Sequence, residues 1–570
     1  MPDILSPAPE ASGRSRVTFR EAAAAVAAAV LLAVVMTWPV APKMHRAARI
    51  DSTDAMYAMW NVAWVARAVT SQPGELFNAN IFHPHPGTLA YSEGNIGAGV
   101  LGAPVWAATR NVYATYNSVV LAGFILAFLC TYALVRRLTG SAIAAAAAAM
   151  AFAYAPYVYA RLPHIQLQMT FGMPLALLAF HRVVDRPGWR RGVALGAALA
   201  IAALSSAYYG VLIGLAIGAG AVFYALYLGR WKDRAYWIAM AVALAALAVL
   251  IVPFFLPYMT IREEGFERTL DEARRYGVNW WGWLASPVKT HGWLLHPDFR
   301  GVAFPGVVRV IGGFAGLGLV ALSARAAARI PRGRAHAIFY LLIFALTFWT
   351  SFGPQAGLYT LLHTTIPVFA FLRAVERFAI LVTLALCVGL GFAVLIAGDW
   401  WRRRGGGAAA GRAAAAGLFL LLAADSWVAP LYYPDALPVP RVYRALDRAP
   451  RGAVAEFPFF YRTLDFNRHA NYMLFSTYHW QPLLNGYSDH YPKDFLDMLD
   501  VVKEFPTDPR SFRHLREHDA RYVVMHLDWY EHRRRPQIEE GLAHYVAGGV
   551  LRFLDRDGDI ALYEIVRYPD

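Results

Sequence analysis

Cysteine is nearly absent: Cys130 and Cys387 are the two in 570 residues. Both fall inside apolar runs, so the chain encodes neither a disulfide framework nor a thiolate metal site. Charge is sparse as well. Charged residues make up 16% of the chain and hydrophobic residues 58%, a balance too apolar for a water-soluble protein of this length. The glycine-rich phosphate loop, the dinucleotide fingerprint and Gly-x-Ser-x-Gly are all missing, which leaves soluble nucleotide chemistry without visible support. No internal repeat marks a transporter built from inverted halves.

What the chain has instead is a series of apolar runs of roughly 17–25 residues, long enough to cross ~30 Å of hydrocarbon as helices. They fall near 18–39, 113–135, 141–158, 166–184, 191–206, 208–229, 236–258, 306–324, 336–351, 377–398 and 412–430, about eleven crossings. The formal net charge of +14 sits in arginine clusters between them: Arg136/Arg137, Arg182 to Arg191, Arg230 to Arg234, Arg325 to Arg334 and Arg402 to Arg404. Each cluster follows an even number of crossings, as cytoplasmic loops require. The basic balance is therefore topology, and no nucleic-acid partner is expected. Arg14, Arg16 and Arg20 precede the first run. A cleaved signal peptide competes there, but the length of the run favours an uncleaved span with a cytoplasmic N-terminus.

The expected fold is a polytopic α-helical membrane domain over 1–430, then an external soluble α/β domain over 431–570. The latter loses the long apolar runs and gains short strand-like pieces such as Gly452 to Phe457, Ala520 to Met525 and Ile560 to Ile565. Three external loops, 40–112, 259–305 and 352–376, are too long to be plain connectors. In the first, Met56, Met59, Trp60 and Ala63 at helical spacing fit a helix lying in the interface or packed on the spans. The second carries a charged run from Arg262 to Arg275, including Glu264, Glu267 and Arg268, which reads as a solvated helix.

Acids, imidazoles and amides collect at one membrane face. Asp51 and Asp54 open the first loop and are candidate general bases; each also suits a helix cap or first turn. His83, His85, Glu93 and Asn95 follow. The histidines flanked by prolines make a rigid polar turn, or with Glu93 and Asn95 line a substrate pocket, or with Glu93 hold a divalent metal, and the spacing fixes none of these. Arg161, His164 and Gln166 sit at the end of the third run, where polar groups usually face a cavity. Tyr208 and Tyr209 either stack on a sugar or belong to the interfacial aromatic belt. Arg373 and Arg377 stand at the mouth of a later run. Such a set fits deprotonation of an acceptor hydroxyl by a carboxylate while a lipid phosphate leaves toward cationic groups.

Several blocks carry a family resemblance: Asp54-Ala-Met-Tyr-Ala-Met-Trp60, Phe82-His-Pro-His85-Pro, Tyr91-Ser-Glu93, Leu162-Pro-His164-Ile-Gln166, Ser205-Ser-Ala-Tyr-Tyr209-Gly and Asn485-Gly-Tyr487-Ser. Through them the chain resembles the GT-C glycosyltransferase superfamily, most closely a bacterial branch related to family-39-like mannosyltransferases. The resemblance implies a multi-pass protein of the bacterial inner membrane. It implies inverting transfer of a sugar from a polyprenyl-phosphate donor, among membrane lipids, to a glycan, lipid or protein acceptor at the external face. It also assigns the essential first-loop acid to Asp54 by position, with Asp51 second, and donor phosphate binding to Arg373 or Arg377. The adjacent Asp-Glu pair usual in that loop is replaced by Asp51-Ser-Thr-Asp54. Asn485 and Tyr487 either face the site from above or form a turn of their own domain. The rivals are a flippase or transporter for lipid-linked glycan, which calls for charges buried mid-span, and a non-catalytic glycan-binding or assembly protein.

Overall fold

All eleven apolar segments are helical in the computed structural model, which describes residues 17–263, 268–436 and 438–569. Arg14, Arg16, Glu264 and Glu267 lie outside the described residues. Among those described, seven helices are long and apolar enough to cross a membrane: Phe19–Met36, Val112–Thr139, Ala142–Tyr159, Ala207–Tyr227, Arg234–Ile261, Gly333–Ser351 and Val375–Arg403. The other four segments form shorter helices, Gly172–Asp185, Trp189–Ser205, Val307–Leu322 and Ala408–Ala424. Two of these depart from the expected bounds for local reasons. The segment expected from 166 becomes continuous helix only at Gly172. Before it, Ile165–Gln168 forms a separate turn, and buried Gln168 donates to the Val158 carbonyl at 3.1 Å. The last helix stops at Ala424, where Asp425 is held by other elements.

Turns are set by side chains at helix ends. Asn111 accepts from the Ala114 N–H at 2.8 Å and starts Val112–Thr139, which ends at Gly140 with φ 71°. Ser141 then caps the next helix through the Ala144 N–H at 3.3 Å. Small residues bring backbones together. A Cβ on Gly316 would lie 1.8 Å from the Gly389 carbonyl oxygen, and one on Gly389 would lie 2.4 Å from that of Gly313. The helices Val307–Leu322 and Ala379–Arg403 therefore touch backbone to backbone, as packed membrane helices do.

The helix Thr53–Ser71 in the first long loop is buried along most of its length, with Trp60 and Trp64 inside. Of the two expectations for it, the packed helix is the one observed. It lies against Ile96–Thr109 and against the short helix His469–Ser476. The C-terminal part holds a four-stranded sheet of β1 (Ala453–Phe457), β2 (Ala520–His526), β3 (Leu551–Asp557) and β4 (Ile560–Ile565) in the order β1-β2-β4-β3. β1 and β2 are parallel, and the other two pairings are antiparallel.

The first long loop is joined to this part by backbone. His83 N–H donates to the Leu483 carbonyl at 2.8 Å, and Leu483 N–H donates to the Asn80 carbonyl at 2.9 Å. Phe82 packs edge-on to Phe495 at 4.9 Å between ring centres. This seam covers one side of the face on which the polar residues gather.

Candidate active site

Asp54 stands in the first turn of Thr53–Ser71, where the helix macrodipole favours an acid. Its side chain is 49% exposed, and Oδ2 lies 3.3 Å from His164 Nε2. His164 is carried by the irregular stretch after the third span, where Pro163 and the short turns on either side keep the chain out of regular helix. Burial pushes the imidazole pKa down, the Asp54 carboxylate opposes that, and Arg377, Arg161 and Arg373 reinforce it. Those three arginines and Asp54 therefore share one electrostatic neighbourhood around His164.

Each arginine is positioned. Arg161 reaches Glu376 at 2.9 Å and lies over the Tyr157 ring at 5.2 Å. Arg377 stacks on Tyr208 at 3.9 Å from the ring centre. The Tyr208 hydroxyl accepts from the Arg373 backbone N–H at 3.0 Å. Arg373 itself reaches Asp489 at 3.1 Å. Tyr487 completes the wall. Its ring meets Tyr57 edge-on at 6.0 Å, and its hydroxyl is pushed up to about 12 by burial, then by the carboxylates of Asp54 and Asp489.

Other expected residues go elsewhere. Asp51 forms a two-bond pair with Arg49, at 2.9 and 3.1 Å. Glu93 accepts from the Ala207 N–H at 2.7 Å and so serves the start of Ala207–Tyr227. Burial raises its pKa; Arg377, the Ala207 N–H, Ser206 and Gln166 pull the other way. Gln166 is thus turned toward Glu93. Asn95 is buried at the start of Ile96–Thr109 with φ 49°, and Tyr209 is buried with its hydroxyl on the Leu167 carbonyl at 3.0 Å.

His83 and His85 belong to the seam. His85 Nε2 lies 2.9 Å from each Asp494 carboxylate oxygen, and His518 reaches the same carboxylate at 3.4 Å. His83 is half-buried; burial lowers its pKa, with Asp519 opposing and His518 adding to the effect. Glu93 is not among the partners of either histidine, so the three do not act as one ligand set. Among the described residues no group of three His, Cys, Asp or Glu is placed to hold a metal ion. Asn485 is fully buried and spends its amide on the Glu456 backbone, accepting at 2.8 Å and donating at 2.9 Å. Its side chain is taken up inside the C-terminal part, while Tyr487, two positions on, lies within reach of Asp54 and Arg373.

Residues 109–252 match the family model of dolichyl-phosphate-mannose-protein mannosyltransferases. That stretch runs from the second long span to the middle of Arg234–Glu263 and includes Arg161 and His164. The match covers 144 of the 570 residues. Among solved structures it is similar to apo ArnT from Cupriavidus metallidurans, at 15% identity, covering 95% of this chain and 97% of that chain, with a TM-score of 0.36. Among curated proteins nothing matches.

The arrangement places a half-exposed carboxylate beside a cationic wall. Three residues at this face were not singled out from sequence: Glu376, Asp489 and Arg268, which also reaches Asp489 at 3.1 Å. Glu376 lies between Arg373 and Arg377 in sequence, Asp489 lies two residues after Tyr487, and Arg268 sits in a charged run typical of solvated helices. Their proximity to known candidates was the available signal for the first two; for Arg268 there was none.

The His164 shift gives a pH dependence. Its folded pKa lies below the ordinary 6.5, so the unfolded chain binds the proton more readily and the contribution of His164 to stability is lost as pH falls below 6.5. The neutral imidazole donates to Asp54, whereas its protonated form stabilises the Asp54 anion and would weaken that carboxylate were it the base of a transfer reaction. The acid limb of kcat/KM therefore falls below pH 6.5, and His164→Asn, which keeps a donor without the titration, removes the part of that limb due to His164. A pH–rate profile of both proteins checks this.

Proposed function

We propose that the protein transfers a sugar from a polyprenyl-phosphate donor to an envelope acceptor, a glycan, lipid or protein, at the external membrane face. The observation that carries the reading is the Asp54–His164 contact, 3.3 Å long, within the electrostatic reach of Arg161, Arg373 and Arg377. Asp54 takes the proton of the acceptor hydroxyl as its oxygen attacks the anomeric carbon. The bond from that carbon to the phosphate oxygen breaks on the opposite side, so the configuration inverts. The electron pair leaves with the phosphate, and arginine is the side chain best matched to it, with a planar fork that fits phosphate oxygens two at a time. Tyr208 and Tyr487 supply aromatic surface beside these groups.

This reading places the N-terminus in the cytoplasm and the β1–β4 sheet outside, in keeping with the arginine clusters at the far ends of the spans. Incubating the purified protein with a panel of polyprenyl-phosphate sugars and an acceptor-containing membrane extract tests it. Sugar transfer with release of polyprenyl phosphate, and none from nucleotide sugars, is expected. Donors that stay intact throughout would return the choice to a flippase or a glycan-binding protein.

A further inference from the structure

The arginines of the site already hold an anion, and it comes from the chain itself. Asp489 lies in the segment between β1 and β2, yet its carboxylate reaches across to three groups of the membrane part. One oxygen lies 3.1 Å from Arg373 and 3.1 Å from Arg268, and the other accepts from Ser92 Oγ at 2.8 Å. Arg268 and Arg373 come from two different long loops and both reach this carboxylate; Glu272 lies 3.6 Å from Arg268 and adds its charge to the surroundings of Arg373. Burial works against ionisation of Asp489, but Arg373 and Arg268, with Ser92, outweigh it and hold its pKa below the usual carboxylate range.

Two planar cations and a hydroxyl converging on one pair of oxygens form a site that suits a phosphate at least as well as a carboxylate. Tyr487, two residues before, feels both Asp54 and Asp489, which ties this anion position to the proposed base.

Building on the proposed function, we infer that Asp489 is a displaceable stand-in for the donor phosphate, occupying Arg268 and Arg373 until a lipid phosphate takes its place. The C-terminal part then acts as a built-in competitor. A ligand engages the two arginines only in the fraction of molecules whose carboxylate has withdrawn, so its apparent affinity is lowered by that fraction. A neutral lipid gains nothing by displacing Asp489, and a phosphate-bearing one recovers both cations. Asp489 thereby sets selectivity for anionic donors and keeps the cations paired when no donor is present.

Binding of polyprenyl phosphate without a sugar to the full-length protein tests this independently of transfer. Asp489→Asn is expected to bind it more tightly, with Kd lowered about tenfold. Ser92→Ala, which removes one hydrogen bond from the stand-in, shifts Kd the same way by about twofold. Arg373→Ala weakens binding in either background. Unchanged or weaker binding by Asp489→Asn with wild-type thermal stability overturns the inference, as does absence of polyprenyl phosphate binding in all variants. If Asp489→Asn folds poorly, Ser92→Ala decides by the sign of its shift. Tighter binding without sugar transfer from any donor would sink the proposed function and leave this inference standing; transfer with an unaltered Kd would do the reverse.

Discussion

Asp54→Asn lowers kcat for sugar transfer by about 10²–10⁴-fold, the usual worth of a positioned general base, and leaves donor KM within a few-fold. The asymmetry follows from placement. Asp54 contacts His164 and is half exposed, whereas the groups suited to phosphate are the arginines of the later loops. The substitution keeps the side-chain volume and still lets the amide oxygen accept from His164, so the helix and the imidazole stay in place. Asp51→Asn serves as the comparison. Its carboxylate is closed by Arg49, an exposed pair of small energetic weight, so transfer stays within about threefold of wild type. Equal losses in the two variants would remove Asp54 from its assigned role.

Asp425→Ala is expected to destabilise the fold by about 3–5 kcal/mol, the cost of leaving a buried charge without its partner. Arg309 is fully buried. It donates to Asp425 at 2.6 Å and to the carbonyls of Ala151 and Tyr154 at 2.7 and 3.2 Å. Asp425 also accepts from the Val307 N–H at 2.9 Å and from His291 at 3.0 Å. One carboxylate thus ties the start of Val307–Leu322, the end of Ala408–Ala424 and, through Arg309, the end of Ala142–Ala153. The third of these leads into Arg161 and His164, so the loss reaches the site. The melting midpoint of the solubilised protein should fall sharply. The double variant Arg309→Met with Asp425→Leu, which leaves no unpaired charge, should recover part of that loss. A midpoint unchanged in Asp425→Ala would mean that the network carries no structural weight.

The helical part of the fold was legible because an apolar run able to cross hydrocarbon is long and nearly free of charge. Its ends were less so. The helix expected from 166 starts at Gly172 because buried Gln168 finds a backbone carbonyl 10 residues back, a contact that periodicity does not encode. In the site, Asp54, His164, Arg161, Arg373 and Arg377 were visible as polar groups at span ends and Tyr487 as part of a C-terminal motif, and the structure puts them in one electrostatic neighbourhood. His83, His85 and Asn485 looked alike in sequence. Their partners are Leu483, Asp494 and Glu456, 400 and 409 residues along the chain for the histidines and 29 back for the asparagine. A polar side chain announces that it needs a partner, and only the fold says which. Arg268 and Asp489 were hidden for the same reason: each reads as a surface charge until the two loops and the C-terminal segment meet.

The most direct check is to label the protein with a photoactivatable polyprenyl-phosphate sugar and map the crosslinks. The account predicts labelled peptides around Asp54, Arg161 to His164, and Arg373 to Arg377, with labelling suppressed by excess polyprenyl phosphate. Labelling confined to the opposite ends of the spans, near the arginine clusters at Arg136 and Arg182, would contradict it.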